Sequence, residues 1–472
     1  MRKKNSAFYL FTFSVVLILV IPVLIRDGMF MDAMLYTSVA KNMANGFGNF
    51  WFPQFSHCNM HGLSSFHEQP PLGFGLESLF FTFLGNSMYT ERIYTFVMMC
   101  LSIGVIIGIW QEISANQNFK EAGWLPVILW ISIPVCFWTY SNNMLEVTMT
   151  LFILLSAWYF LKYMALQQYY FLALSGISIF LASLTKGIPG LFTLSMPFLH
   201  WLCLKKTPAK KMIADTLILL SVPLMLYFIL FLIPVSRESL SIYLFKRAFQ
   251  RISDVPTVDS RFYILYRLLL ELMIPIVITI TGVFILRIRK ERLRQNAMPI
   301  FFIFLGLAGS LPLLLTKVQK GFYFVPSLPF FAIGFALILA PNLQNAIDRS
   351  PVAFKKIFTF FSILLFFLGV VLSVNSIGKT SRDANLLYDV KLIGEKIPEK
   401  EIMTIARNNW NDWSLQCYLI RYHNISVDTN EKYRYLIVRK ENDDNNHPGY
   451  KKIIIDTRLY NLYEKETMVQ GL

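Results

Sequence analysis

The sequence predicts a mainly α-helical, polytopic transmembrane bundle of about eleven spans, N-terminus inside, with a small C-terminal extracytoplasmic α/β domain. Three observations lead there. Hydrophobic residues make up 55% of the chain and charged residues 15%, against roughly 45–50% and 25% in soluble domains. The apolar side chains fall into long runs. The densest lysine and arginine clusters between those runs fall in alternate loops, as cytoplasmic loops require.

The runs lie at about 7–25, 91–111, 122–141, 145–164, 169–185, 188–204, 212–233, 263–287, 298–316, 321–341 and 357–376. Runs of about 17–25 residues match a hydrocarbon core of roughly 30 Å. The first follows Met1-Arg2-Lys3-Lys4 like a signal peptide. It lacks a small-residue cleavage site and leads straight into Arg26-Asp27, so it reads as an uncleaved span. With the N-terminus inside, Lys205, Lys206, Lys210 and Lys211 face the cytoplasm, as do the basic residues of 287–294. An odd span count then leaves the tail outside.

This organisation gives a transmembrane domain over 1–378 and an outer domain over 379–472. The membrane domain contains a first outer loop with interfacial helices, 26–90, and a basic outer loop, 234–262. In the tail, the pattern predicts a helix at Asp383–Lys400 and strands at Ile402–Ala406, Cys417–Ile420, Tyr435–Val438 and Lys452–Ile455.

The net charge of +15 is explained by cytoplasmic loops. Nucleic acid is excluded as a partner, because no basic run lies in a folded soluble segment. Of five cysteines, Cys100, Cys136 and Cys203 lie in apolar runs and Cys58 and Cys417 in polar ones. With no CxxC spacing, neither a disulfide framework nor a zinc ribbon is indicated.

The ionisable residues near the spans gather on the outer side. Asp32 and Tyr36 share a face of a helix just after the first span; the alternative is an interfacial helix with a wet acid and an anchoring tyrosine, which the spacing alone favours. Glu68, in His67-Glu68-Gln69-Pro70-Pro71-Leu72, is held on a loop that two prolines stiffen. With His67, His57 and His61 it forms a candidate divalent-metal set, or an ordered wet loop with ordinary histidines. Glu146 lies at the mouth of the fourth span and Lys186 between the fifth and sixth. Lys317 and Lys320 precede Tyr323. Such groups face a cavity or partner, or snorkel to the headgroups. In 234–262, Arg237, Lys246, Arg247, Arg251 and Arg261 oppose the positive-inside trend. They suit either a phosphate ligand or anionic lipid headgroups.

In this order, the motifs of residues 20–340 resemble GT-C type glycosyltransferases. The resemblance is to the bacterial group related to dolichyl- or polyprenyl-phosphate-mannose protein mannosyltransferases and to the lipid A aminoarabinose transferase. The segments concerned are Asp32…Tyr36 with Gly46-Phe47-Gly48-Asn49-Phe50-Trp51, the loop 67–72, Glu91-Arg92, Glu146 after Met144-Leu145, Leu184-Thr185-Lys186-Gly187, and Lys320 to Pro329. The chain departs from the family at Ala33, where a second acid is frequent, and at Gln69, where the family has lysine.

The resemblance implies transfer of a sugar, with inversion, from a polyprenyl-phosphate carrier to a lipid, glycan or protein acceptor. The setting would be the outer face of the bacterial cytoplasmic membrane. Asp32 would be the base, with Glu68 and Glu146 placing the acceptor or a cation. Arg92, Lys186, Arg251, Lys317 and Lys320, with Tyr36 and Tyr323, would bind substrate and phosphate. The competing class is a transporter or flippase of a lipid-linked or small anionic substrate, which would place ionisable groups near the midplane.

Overall fold

A computed structural model describes residues 5–58, 65–248, 256–289 and 296–466. The chain divides into two compact units. One comprises 1–25, 68–73 and 92–377; the other comprises 26–67, 74–91 and 378–472.

In chain order the first helices are α1 (Ser6–Leu24), α2 (Met31–Ala44), α3 (Leu72–Leu84) and α4 (Thr90–Ile113). Next come α5 (Trp124–Ile131), α6 (Pro134–Tyr140), α7 (Leu145–Leu166), α8 (Tyr169–Lys186) and α9 (Met196–Leu204). Then follow α10 (Ala209–Leu232), α11 (Pro234–Ser241), α12 (Tyr263–Ile285), α13 (Met298–Ser310), α14 (Leu328–Arg349) and α15 (Val352–Val374). The tail carries α16 (Ala384–Lys396) and α17 (Trp413–His423).

In the first unit, α8 and α14 are 61% buried over their most apolar stretch, whereas α10 and α15 are 17% buried. The latter pair turn leucine and phenylalanine outward, including Leu224, Phe228, Phe360 and Phe367. Such faces are stable only against lipid. Within the core, α7 and α8 form a tight antiparallel pair, because Gln167 takes a left-handed conformation and ends α7 two residues before α8 begins.

Eleven spans were expected. Among the described residues nine helices are long and apolar enough to cross a membrane, or ten if one bent pair is a single span. The run 122–141 is that pair: Lys120–Ile131 and Pro134–Tyr140 meet at 88°. Ile133 is extended, as a residue before proline must be, and the helix breaks there. The run 188–204 becomes a 3-10 segment, Ile188–Ser195, followed by the short α9, with prolines near both starts. The run 321–341 opens with a 3-10 turn, Gly321–Phe324, and its helix starts only at Leu328.

The second unit joins α2 and most of α3 to the tail. Its five strands are β1 (Ile402–Ile405), β2 (Ser426–Asp428), β3 (Tyr435–Arg439), β4 (Tyr450–Ile453) and β5 (Tyr460–Lys465), in spatial order β2-β1-β3-β5-β4. β1 runs parallel to β2 and β3, and β5 is antiparallel to β3 and β4.

The expected strand Cys417–Ile420 is instead part of α17. The Asp412 carboxylate caps that helix by accepting from the Leu415 N–H at 3.2 Å. Every residue from Leu415 to Arg421 is buried, and a short run buried all round carries no period to separate helix from strand.

The tail helix is pinned to α2. Lys41 donates to the last-turn carbonyls of Ile420 (3.0 Å) and Arg421 (2.9 Å) and to Asn424 Oδ1 (2.6 Å). A cation at a helix C-terminus complements the helix dipole. Tyr418 Oη donates to the Met29 carbonyl at 3.0 Å, just ahead of α2. The terminal nitrogens of Arg421 donate to Glu91 (2.7 Å) and to the carbonyls of Asn86 (3.2 Å) and Ser87 (2.9 Å). The helix that starts with Asp32 is therefore held by the tail.

Candidate active site

In the first unit, the antiparallel packing of α7 on α8 brings the first turn of one to the last turn of the other. Glu146 opens α7 and Lys186 closes α8, and the two form a salt bridge. Glu146 is fully buried and Lys186 is 8% exposed. The Lys186 ammonium also lies 5.6 Å from the Phe322 ring centre and 5.2 Å from that of Tyr323. This cation–π contact brings the Lys320–Pro329 segment to the pair. The approach to Glu146 is fixed by Asn143, in a left-handed conformation, whose Oδ1 accepts from Thr95 at 2.8 Å.

Glu68 makes a second salt bridge, with Arg247 in the π-helical turn Ile242–Ala248. Two close approaches join the pairs. Gly73, a few residues after Glu68, lies so near Leu145 and Thr185 that an added Cβ would fall 2.5 Å from the Leu145 side chain. Gly187, directly after Lys186, has φ +78°, and a Cβ there would overlap the Tyr243 hydroxyl, one turn before Arg247. The Thr-Lys-Gly spacing thus has a steric reason: only glycine lets the π-helical turn sit against the end of α8.

Other expected residues are placed as follows. Arg92 is buried in the first turn of α4, in the first unit. Lys317 and Lys320 are exposed and Tyr323 is half-buried. The described contacts thus bring together Glu146, Lys186 and Tyr323, and Glu68 with Arg247. In the second unit, Asp32 sits half-buried in the first turn of α2, where the helix dipole favours a negative charge. Tyr36 is buried against Phe74, ring centres 5.9 Å apart. Arg251 and His61 lie outside the described residues.

Among the described residues, Glu68, His67 and His57 of the expected metal set do not form a cluster of ligand atoms. Glu68 is neutralised by Arg247. His67 is buried, 2.9 Å from the Ser65 hydroxyl, and burial lowers its pKa to about 4. His57 is exposed and stacked on Phe47 at 4.1 Å. Among the described residues, the ligand-type cluster within 4.8 Å is Asp443, Asp444 and His447, in the tail. There Asp443 already accepts from Asn461, Tyr463 and the Asn445 N–H.

Arg247 is the residue that sequence reasoning did not single out: it stood as one of five basic residues in its loop. Its position against the positive-inside trend was the available signal. Trp138, whose ring stacks on Phe322 at 5.9 Å and 21°, had none beyond hydrophobicity.

No family model matches the sequence, and no curated protein matches it. Solved structures do. ArnT from Cupriavidus metallidurans bound to undecaprenyl phosphate matches with TM-score 0.69 at 12% identity, over 98% of this chain and 98% of that chain. Its apo state matches with TM-score 0.67 at 12% identity, over 96% and 97%. The apo oligosaccharyltransferase of Archaeoglobus fulgidus matches with TM-score 0.59 at 11% identity, over 93% of this chain and 70% of that one. At such identities the likeness is one of fold: over 98% of its length the chain shares the fold of ArnT.

Proposed function

We propose that this protein is a membrane glycosyltransferase that moves a sugar from a polyprenyl-phosphate carrier to a lipid, glycan or protein acceptor. The observation that carries the reading is the paired cluster Glu146–Lys186 and Glu68–Arg247, joined through Gly73 and Gly187, within the fold of a protein solved with undecaprenyl phosphate.

In the reaction, the bond from the anomeric carbon to the phosphate oxygen breaks as a bond to the acceptor hydroxyl oxygen forms on the opposite face. Asp32 takes the acceptor proton as general base. The departing polyprenyl phosphate is a good leaving group, so it needs charge stabilisation more than a proton. Lys186 and Arg247 supply that charge, with Arg92, Arg251, Lys317 and Lys320 adding to the positive field. Glu146 and Glu68 hold the two cations in place. Tyr323 lines the site beside Lys186, Tyr36 is a substrate-binding residue, and lipid-facing spans accommodate the prenyl chain. The membrane is the bacterial cytoplasmic one and the site faces outward, with residues 379–472 forming an outer domain.

The test uses purified protein in lipid nanodiscs with radiolabelled polyprenyl-phosphate sugar. Sugar should pass to an acceptor or, slowly, to water, and Asp32→Asn should abolish the transfer while the protein remains folded. Normal turnover in Asp32→Asn removes Asp32 from its role. Binding of the carrier without any transfer or hydrolysis would favour a flippase.

A further inference from the structure

The broken span between α5 and α6 raises a problem that a single acid answers. Backbone donors freed by a break within a membrane segment must find acceptors inside the protein. Pro134, the first residue of α6, has no N–H. Cys136 donates to the Ile133 carbonyl at 2.9 Å. Val135 donates to Glu271 Oε2, on α12, at 2.8 Å. Glu271 is 2% exposed, and its other oxygen meets Arg267 at 2.6 Å. A carboxylate buried in a span is costly and calls for a purpose.

Arg267 in turn lies beside Gly321, where an added Cβ would come within 3.2 Å of its Nε. One carboxylate therefore joins α12, the start of α6 and, through Arg267, the turn Gly321–Phe324. Beyond the anchored start of α6 come Trp138, which stacks on Phe322, and then Asn143, which sets the approach to Glu146. Phe322 and Tyr323 are the rings that flank Lys186.

We infer that Glu271 is a positioning residue: by capping α6 and steering Arg267, it holds Trp138 and Phe322 where they keep Lys186 against Glu146. Its consequence for catalysis rests on the reading of Lys186 as a phosphate-binding group, but the placement can be read without any substrate.

The experiment measures acylation of Lys186 by an amine-reactive reagent, quantified by mass spectrometry on the full-length protein in nanodiscs, with Lys211 as internal control. In the wild type, Lys186 should label slowly. Glu271→Leu should raise Lys186 labelling about tenfold, the factor matching one lost buried hydrogen bond, with Lys211 unchanged. Glu271→Gln keeps an oxygen for the Val135 N–H but gives up the Arg267 ion pair, and should label Lys186 at a rate between wild type and Glu271→Leu. Trp138→Leu cuts the link one step later and should raise labelling as Glu271→Leu does.

A folded Glu271→Leu protein that only melts earlier, with Lys186 still protected, would overturn the inference. If that variant does not fold, wild-type labelling in Trp138→Leu overturns it instead. Undecaprenyl phosphate added to the wild type tests the other reading separately. Failure to slow Lys186 labelling counts against the lipid-phosphate site and leaves the Glu271 result standing.

Discussion

Two buried lysines, one in each unit, show how differently the same side chain can be used. Lys41, in the second unit, is 2% exposed and, when protonated, gives its three donors to three oxygens. Lys186, in the first, has a carboxylate on one side and two aromatic faces on the others. An ammonium has three donors, and rings provide no lone pairs for them. The first lysine is saturated and serves as a joint. The second is held in place, yet retains bonding capacity for an incoming anion. Arg421 is likewise tied down, its two terminal nitrogens bonding Glu91 and two carbonyls with the Phe81 ring 5.0 Å away.

The contrast is broken most severely at Arg421. Arg421→Leu leaves Glu91 buried without its cation, which costs about 3–5 kcal/mol. Denaturant unfolding should show that loss, while turnover per folded molecule changes little. An activity loss that far exceeds the loss of folded protein would contradict a purely structural role.

Lys186→Met also removes the cation of a buried pair and should lower the melting temperature, but transfer per folded molecule should fall about 100- to 1,000-fold as well. A collapse of the fold with proportional loss of activity would make Lys186 a joint like Lys41.

The site was legible where the sequence set an ionisable residue against apolar surroundings. Glu146, Lys186 and Glu68 stood out because a charge beside a span is expensive, and their order along the chain matched a family pattern. Arg247 was hidden among similar neighbours, since nothing local says which of five basic residues meets a glutamate far away in sequence. Lys41 and Arg421 were illegible for another reason: their acceptors are mostly backbone carbonyls, which leave no mark on side-chain identity. Among the described residues, the helices long and apolar enough to cross a membrane followed from hydrophobicity alone. The break at Pro134 did not, because its stabilising partner, Glu271, lies in a distant span.

Gly187→Ala sharpens the comparison without touching any charge. The left-handed backbone and the Tyr243 hydroxyl both oppose a Cβ there, a strain of about 1–3 kcal/mol. If Lys186 acts through its exact placement, carrier binding should weaken about tenfold or more although Lys186 and Glu146 are both present. Unchanged carrier binding would mean that the ammonium tolerates displacement, and that its charge alone is what matters.

The smallest effect concerns pH. Burial, reinforced by the nearby Arg421 guanidinium, lowers the Lys41 pKa from 10.5 to about 7, with Glu399 and Glu91 opposing the shift. Between those values the unfolded chain binds a proton that the folded chain does not. Stability from this group is therefore complete above pH 10.5 and declines as pH falls toward 7. The slope is at most about 1.4 kcal/mol per pH unit. His423 also faces Lys41, but its own pKa is lowered by burial, so it stays neutral across this window. Wild-type unfolding free energy should therefore rise between pH 7.5 and 9, a range chosen to lie inside that window, and the rise should flatten in Lys41→Met. Equal slopes in the two proteins would show that Lys41 keeps its proton throughout, bound by the three oxygens that surround it.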